Sequence, residues 1–354
     1  MNFYRKVIAV FFLCCLTCFF SCGHSKPILK SYYAYVNEAE LSIVNGDMQT
    51  ALEKYKSANQ LKAFYFSANY NYTICAVKSG EFKKSFDPVT RLLEMGVPMS
   101  FFERKSDFAE FIKSSTWKRI VEDPPLPTYS EELRDELEVM LEWDQEFRGA
   151  YRENYDTISK IDSINGMRIM ELLEDYGSIS SQHVGVRMLN DTALYLGWSD
   201  FSILLIHQVK RDRTMFSKYL RSLVLRGRMS PSDYAARSVD FSPLDSIRLN
   251  CYQQVGAQLI QVRDTLYICS DEDIKLIDAQ RAELYLPSLA DQRKKIEYYY
   301  EKDRSFLISG HAFTFSGVVT DEEADPIIKD LRNNGFIPYK VLLGAKSYYL
   351  LNKD

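Results

Sequence analysis

Asn45–Leu52 reads NGDMQTAL, and Ser79–Phe86 reads SGEFKKSF. The two stretches lie 34 residues apart and share one layout: a glycine in second place and a small–apolar pair, Ala51-Leu52 or Ser85-Phe86, at the end. A small residue permits a tight turn between two helices, because glycine takes the left-handed conformation that ends a helix. The small and apolar pair that follows supplies close packing positions, and Tyr55 and Ala58 continue the same face. The pattern therefore predicts helical hairpins in this part of the chain.

Ala109–Ile120, AEFIKSSTWKRI, reads as a closing helix with Phe111, Ile112 and Ile120 on its apolar side. A helix–turn–helix unit recurring at 34 residues resembles the tetratricopeptide repeat, although the Trp and Pro positions of that signature are absent. The resemblance implies stacked hairpins over 30–121 that offer a concave surface to a protein partner. Three prolines in Glu122–Ser130, EDPPLPTYS, break the pattern, so 122–130 reads as a linker.

Beyond it, Leu133, Leu137, Met140, Leu141 and Phe147 fall on one helical face. Helical periodicity returns over Met167–Tyr176, Asp191–Gln208, Thr214–Arg226 and Asp271 to about Glu301, interrupted at Pro287. Gln258–Ser270, QLIQVRDTLYICS, alternates on both sides of Arg263-Asp264 and reads as a β-hairpin. In the last fifty residues HAFTFSGVV reads as a strand, and Thr320 with Glu323 forms a capping box. Asn334-Gly335 closes that helix, and IPYKVLLGAKSYYLL supplies a bent strand or a hairpin around Gly344. This β-α-β element resembles one half of the sporulation-related repeat that binds peptidoglycan. The fold class expected is mostly α: tetratricopeptide-like helical hairpins, a helical domain with one β-hairpin over 131–303, and a small α+β element over 304–354.

Four of the seven cysteines, Cys14, Cys15, Cys18 and Cys22, crowd into the first 22 residues. Arg5 and Lys6 precede an uncharged run from Val7 to Phe20. Fourteen residues of helix cover about 21 Å, short of the roughly 30 Å hydrocarbon core. The run therefore reads as the apolar region of a secretory leader, 1–21. Ser21-Cys22-Gly23 resembles the bacterial lipobox, which implies that Cys22 is acylated and becomes the first residue of the mature chain, with 22–29 as a tether. Cys18 is the competing acceptor, but apolar sequence follows it. Lipid anchorage would hold the protein on a membrane in the cell envelope, periplasmic or surface-facing. Losing Arg5 and Lys6 takes the formal charge from −4 to −6, a balance that argues against nucleic-acid binding. The remaining cysteines, Cys75, Cys251 and Cys269, are widely spaced, with Cys251 to Cys269 as one possible disulfide and buried free thiols as the other reading. No metal spacing occurs, and neither metal nor cofactor is expected.

From Leu133 to about Tyr300 the residues Met140, Asp144-Gln145, Arg148, Asp162, Asn165, Arg168, Val184-Gly185, His207-Gln208, Gln254–Gln258, Arg281-Ala282, Leu284 and Leu286 resemble an uncharacterised bacterial domain family. Members of that family read Gln-His at the position of His207-Gln208 and Tyr-Gly-Thr-Gln at the position of Val255–Gln258. The resemblance imports no reaction.

Asp144 and Arg148 are four apart, and Asp162, Asn165 and Arg168 fall at spacings of three, so each set forms a polar stripe on a helix. Such stripes suit a buried, mutually satisfied network, the preferred reading, or the walls of a polar cleft. In a cleft, Asp144 and His183 are the acid–base candidates, Arg148 and Arg168 would bind an anionic group, and Gln258 would orient it. Asp144, Arg148 and Arg168 are expected close together, and His207, which ends the apolar run ILLI, apart from them in a core. The basic run Val209–Arg228 is expected to be a solvated face balanced by the acidic 131–146 helix, with a stripe for an anionic partner as the other reading. No nucleophile elbow, phosphate loop or HExxH motif is present. The sequence favours a protein-interaction or scaffold lipoprotein of the envelope over the alternative, a hydrolase of an envelope polymer or peptide.

Overall fold

The computed structural model describes residues 27–61, 65–150, 153–188, 194–196, 198–238, 259–269, 271–303, 305–308, 313–314, 320–333 and 336–341. Cys22, Cys251, Gln258, His311 and Gly344 lie outside them. The chain is mostly helical, as expected. Among the described residues no helix is long and apolar enough to cross a membrane.

Helix α1 (27–44) turns into α2 (Met48–Leu61), and α3 (Phe66–Lys78) turns through a short 3-10 segment into α4 (Phe86–Glu94). The two turns are built alike. Gly46 and Gly80 have φ of 80° and 69°, the left-handed region that glycine enters without steric cost. In the first turn the amide of Gly46 donates to Ile43 and that of Asp47 to Ser42, and in the second Gly80 donates to Val77 and Glu81 to Ala76. This is the bond pattern of a Schellman cap. The 34-residue repeat extends to the packing, since Tyr55 and Ala58 and their counterparts Val89 and Leu92 are all fully buried. Helices α5 (Met99–Arg104) and α6 (Ser115–Glu122) close this core with Phe101, Phe102, Phe108, Phe111 and Trp117. The closing helix expected over 109–120 is broken, because the Ser114 hydroxyl accepts from Trp117 N and starts a new helix there.

The connector after α6 is stitched down at both ends: Thr128 N donates to the Glu94 carbonyl, and Ser130 N to that of His183. A second core joins α7 (Glu131–Glu146), α8 (Tyr155–Asp175), α9 (Ser181–Val184), α10 (Trp198–Arg211), α11 (Arg213–Leu225) and α12 (Pro231–Ser238). The helix expected from Asp191 begins only at Trp198; Leu194–Leu196 (β2) instead pairs antiparallel with Val186–Met188 (β1). Short apolar runs carry too little period to separate strand from helix.

The expected hairpin forms from β3 (Leu259–Val262) and β4 (Thr265–Cys269), but it belongs to a larger sheet. Helices α13 (Asp271–Glu283) and α14 (Leu289–Glu301) follow, then β5 (Phe313–Thr314), α15 (Asp321–Asn333) and β6 (Phe336–Val341). The sheet order is β5-β3-β4-β6, with β6 antiparallel to β4 and β5 parallel to β3. The boundary expected at 303 therefore cuts a single sheet. Its α15 is capped as expected: Thr320 N donates to Glu323 Oε2 at 3.0 Å, and Glu323 N to Thr320 Oγ1 at 3.2 Å.

Residues 289–308 return to the hairpins. Tyr298, Phe306 and Ile308 join the hairpin core. Asn71, fully buried on α3, grips the backbone of Leu307, donating Nδ2 to its carbonyl at 2.9 Å and accepting from its amide at 2.7 Å. Lys295 Nζ reaches Glu40 Oε2 at 2.6 Å and Asn37 Oδ1 at 2.5 Å. Part of the surface of α1 and α3 is thus covered by residues 289–308. Replacing Asn71 by Ala leaves both Leu307 backbone groups unpaired in a partly buried place. It should cost about 2–4 kcal/mol in denaturant unfolding and speed exchange of the Leu307 amide.

Candidate functional site

Four of the polar residues singled out in the sequence converge: Asp144, Arg148, Asp162 and His207. The carboxylate of Asp144 is fully buried near the end of α7. Arg148, one turn later, clamps it with two bonds, Nε to Oδ2 at 3.0 Å and Nη2 to Oδ1 at 2.6 Å. The same Nη2 reaches Asp162 Oδ1 on α8 at 2.5 Å, and Gln145 Nε2 donates to Asp144 Oδ2 at 2.6 Å. His207 on α10 brings Nδ1 to 2.8 Å from Asp144 Oδ2, close enough for charge pairing but without the direction of a hydrogen bond. His207 was expected apart from this group; one turn of α10 past its apolar stripe, the ring meets the buried carboxylate instead. Burial raises the Asp144 pKa, but the contacts and charge of His207 and Arg148 outweigh it and hold the carboxyl below its ordinary range. Gln208 donates Nε2 to the Asp162 carbonyl at 2.9 Å and fills the space that a side chain at Gly166 would need.

Arg168 does not join this network. It faces the start of α7, where Nε and Nη2 bind Glu136 at 2.5 and 3.0 Å and Nη1 binds Glu171 at 2.7 Å. Two partly exposed carboxylates neutralise it, so the expected grouping with Asp144 is corrected by the nearer acids. His183 is further removed. Its carbonyl is bonded to Ser130 at the head of α7, and Asp144 lies fourteen residues on, about 21 Å along the helix. The two acid–base candidates therefore cannot meet at one reacting atom. His183 instead completes a capping box, with Nδ1 accepting from Ser180 N at 3.0 Å. Burial, helped by nearby Arg228, lowers its pKa, so the ring is neutral at pH 7.

The basic run is spent locally. Arg211 donates to Ser163 Oγ, Arg221 to Glu283, and Arg228 to the carbonyls of Glu174 and Asp175 at the end of α8. Among the described side chains its acidic counterweight is thus Glu283 and a helix C-terminus. Cys75 is a buried free thiol whose pKa burial pushes up to about 12, which leaves it unreactive. Among the described residues no group of three or more His, Cys, Asp or Glu is arranged to hold a metal ion.

What the sequence did not single out is a cavity of about 300 Å³ where α1 and α3 meet 179–182, 230–233 and 285–308. Its aromatic wall is Tyr32, Tyr33, Tyr65, Phe66 and Tyr285. Tyr33 donates to the Tyr65 hydroxyl at 2.6 Å and stacks on Tyr285 with centroids 6.0 Å apart and 8° between planes. Its polar groups include Ser180, Ser181, Ser230 and Ser232, with the Glu40–Lys295 pair also on the lining. The available signal was the doubling of aromatic helix openings, SYYAYV at Ser31–Val36 and YFSANYNY at Tyr65–Tyr72. No protein family, curated protein or solved structure matches the chain.

The lowered pKa of His183 has a testable sign. A group depressed in the folded state stabilises the fold above its unfolded value, here 6.5, and that contribution is lost as pH falls through the folded value. Stability should therefore drop as pH falls below 6.5, and His183→Gln should flatten that part of the curve in urea unfolding measured across pH. An unchanged slope would contradict the buried, neutral ring.

Proposed function

We propose that the protein is an extracytoplasmic lipoprotein, held on the bacterial envelope through acyl chains at Cys22, that works as a protein-interaction or scaffold module. One observation carries the non-enzymatic reading. Asp144, Arg148 and Asp162 pair with one another, His207 lies against the same carboxylate, and the second acid–base candidate, His183, sits at the far end of α7. General acid–base catalysis needs its groups within hydrogen-bond reach of one proton. A carboxylate gripped by a bidentate arginine is a poor proton acceptor.

The anchorage rests on the short basic and apolar leader and the Ser21-Cys22-Gly23 order. The interaction role is supported by a cleft of about 430 Å³ between α8 and α10–α11, lined by Met167, Met170, Met215 and Phe216. Met167 is 65% exposed and Met215 47%, a concentration of large flexible apolar groups in contact with solvent. Unbranched thioether side chains repack around a partner and recur on protein-binding surfaces. The hairpins then act as a support, packed against residues 289–308.

A photo-cross-linking residue at position 167 of the lipidated chain in cells tests both halves. The expected result is an acylated N-terminal cysteine by mass spectrometry, release of Cys22→Ser into the soluble fraction, and a discrete protein adduct that Met215→Glu abolishes. A Cys22→Ser chain that stays membrane-bound overturns the anchor. No adduct, together with envelope-polymer turnover that Asp144→Asn abolishes, overturns the non-enzymatic role.

A further inference from the structure

The cavity at the junction of the hairpins with the rest of the chain has the chemistry of a ligand site, independent of the anchor and of any protein partner. At about 300 Å³ it sits at the lower end of small-ligand pockets. Two of its lining hydroxyls are unsatisfied. Tyr32 is 1% exposed and Ser181 2%, and neither Tyr32 Oη nor Ser181 Oγ has a hydrogen-bond partner. A buried unpaired hydroxyl is costly and calls for a reason. Phe66, Ser67 and Ala68, which also line the cavity, open α3, and Tyr65 caps that helix with no side-chain bond. Their amides belong to the first turn of a helix, where donors find no partner within the helix itself.

A third feature is strain. Tyr285 has φ of 59°, a left-handed conformation unusual for a bulky residue, and in that conformation its ring lies on Tyr33 at the cavity wall. Unpaired donors and a strained aromatic are thus collected around one space.

The lining selects among ligands. Among the described residues Lys295 is the only cation on the lining, and Glu40 and Asn37 already bind that ammonium, while Asp233 adds a carboxylate. Phosphates and carboxylates therefore find no cation of their own here. A wholly apolar ligand would strip water from the serines, Asn37 and Gln182 and return nothing. What remains is a neutral molecule with apolar faces and hydroxyls around its edge. Tyrosine rings present an apolar face and a polar tip, the complement of such a molecule. We propose that this cavity binds a neutral pyranose sugar, its ring face against the tyrosine cluster and its hydroxyls bonded to Tyr32, Ser181 and the amides that open α3.

The test uses the full-length lipidated chain in a sugar-free detergent. Glucose, N-acetylglucosamine and their β-linked disaccharides are the probes, with inorganic phosphate and trialanine as controls, read by saturation-transfer NMR and calorimetry. Two variants separate binding from folding. Tyr32→Phe removes an unpaired hydroxyl and should melt at or above the wild-type temperature, while Tyr285→Gly exchanges the lost stacking on Tyr33 for relief of the left-handed strain and should melt close to it. The expected result is saturation transfer to the ring C–H protons of at least one pyranose, with Kd weakened about tenfold or more in each variant. The proposal is overturned if no pyranose binds, if only phosphate or trialanine binds, or if both variants bind as wild type. It is also overturned if affinity is lost only alongside a lower melting temperature, which would make the tyrosines structural. None of these outcomes touches the cross-linking at position 167, so the two readings fail separately.

Discussion

Glu40 and Lys295 are 255 residues apart in the chain, and their charged side chains are 2% and 1% exposed. Taking two charges out of water is costly, and the attraction between them offsets that cost only with good geometry and further hydrogen bonds. The ammonium meets that condition by bonding Asn37 as well as Glu40, both on α1, at positions three residues apart along one face. The pair therefore fixes α14 at one position on the first hairpin. The neighbouring contacts follow from that placement: Lys78 with Asp303 at 2.6 Å, Asn71 with the Leu307 backbone, and Phe306 within the hairpin core. A misplacement by one turn would leave a buried charge alone, so the pair sets register even where its net contribution to stability is small.

The second ionic group works differently. Asp144, Arg148, Asp162 and His207 draw α7, α8 and α10 together around a partly buried network rather than holding distant parts of the chain in register. Arg281 plays a similar part at the turn between α13 and α14. Its side chain is buried, donates to the Pro287 carbonyl at 2.7 Å and to Gln292, and burial pushes its pKa down to about 10. Several of the polar residues that give the central segment its distinctive sequence are thus accounted for by packing of charged groups in low dielectric.

Much of the fold was legible because it is written locally. The glycine turns at 46 and 80, the cap at Thr320, and the hairpin turn at Arg263-Asp264 each depend on residues within a few positions of one another. Asp144 with Arg148 was legible for the same reason, as a pair one helical turn apart. What stayed hidden depends on long-range pairing. Nothing near Lys295 announces Glu40, nothing near Asn71 announces Leu307, and the addition of β6 to β4 joins residues about seventy apart. The cavity combines five chain segments, so no window of sequence contains it. Arg168 illustrates the converse error: spacing placed it correctly on its helix, but which of the surrounding carboxylates it meets is decided by rotation of α8 against α7.

A double-mutant cycle on Glu40 and Lys295, followed by urea unfolding, tests the account at its centre. Lys295→Met alone should cost about 3–5 kcal/mol because it strands a buried carboxylate, and Glu40→Leu should be similarly damaging. The pair together should recover most of the loss, giving a coupling of at least about 2 kcal/mol between residues 255 apart. Single variants that cost less than about 0.5 kcal/mol and combine additively would place both side chains in water. That result would contradict the docking of residues 289–308 onto the hairpins.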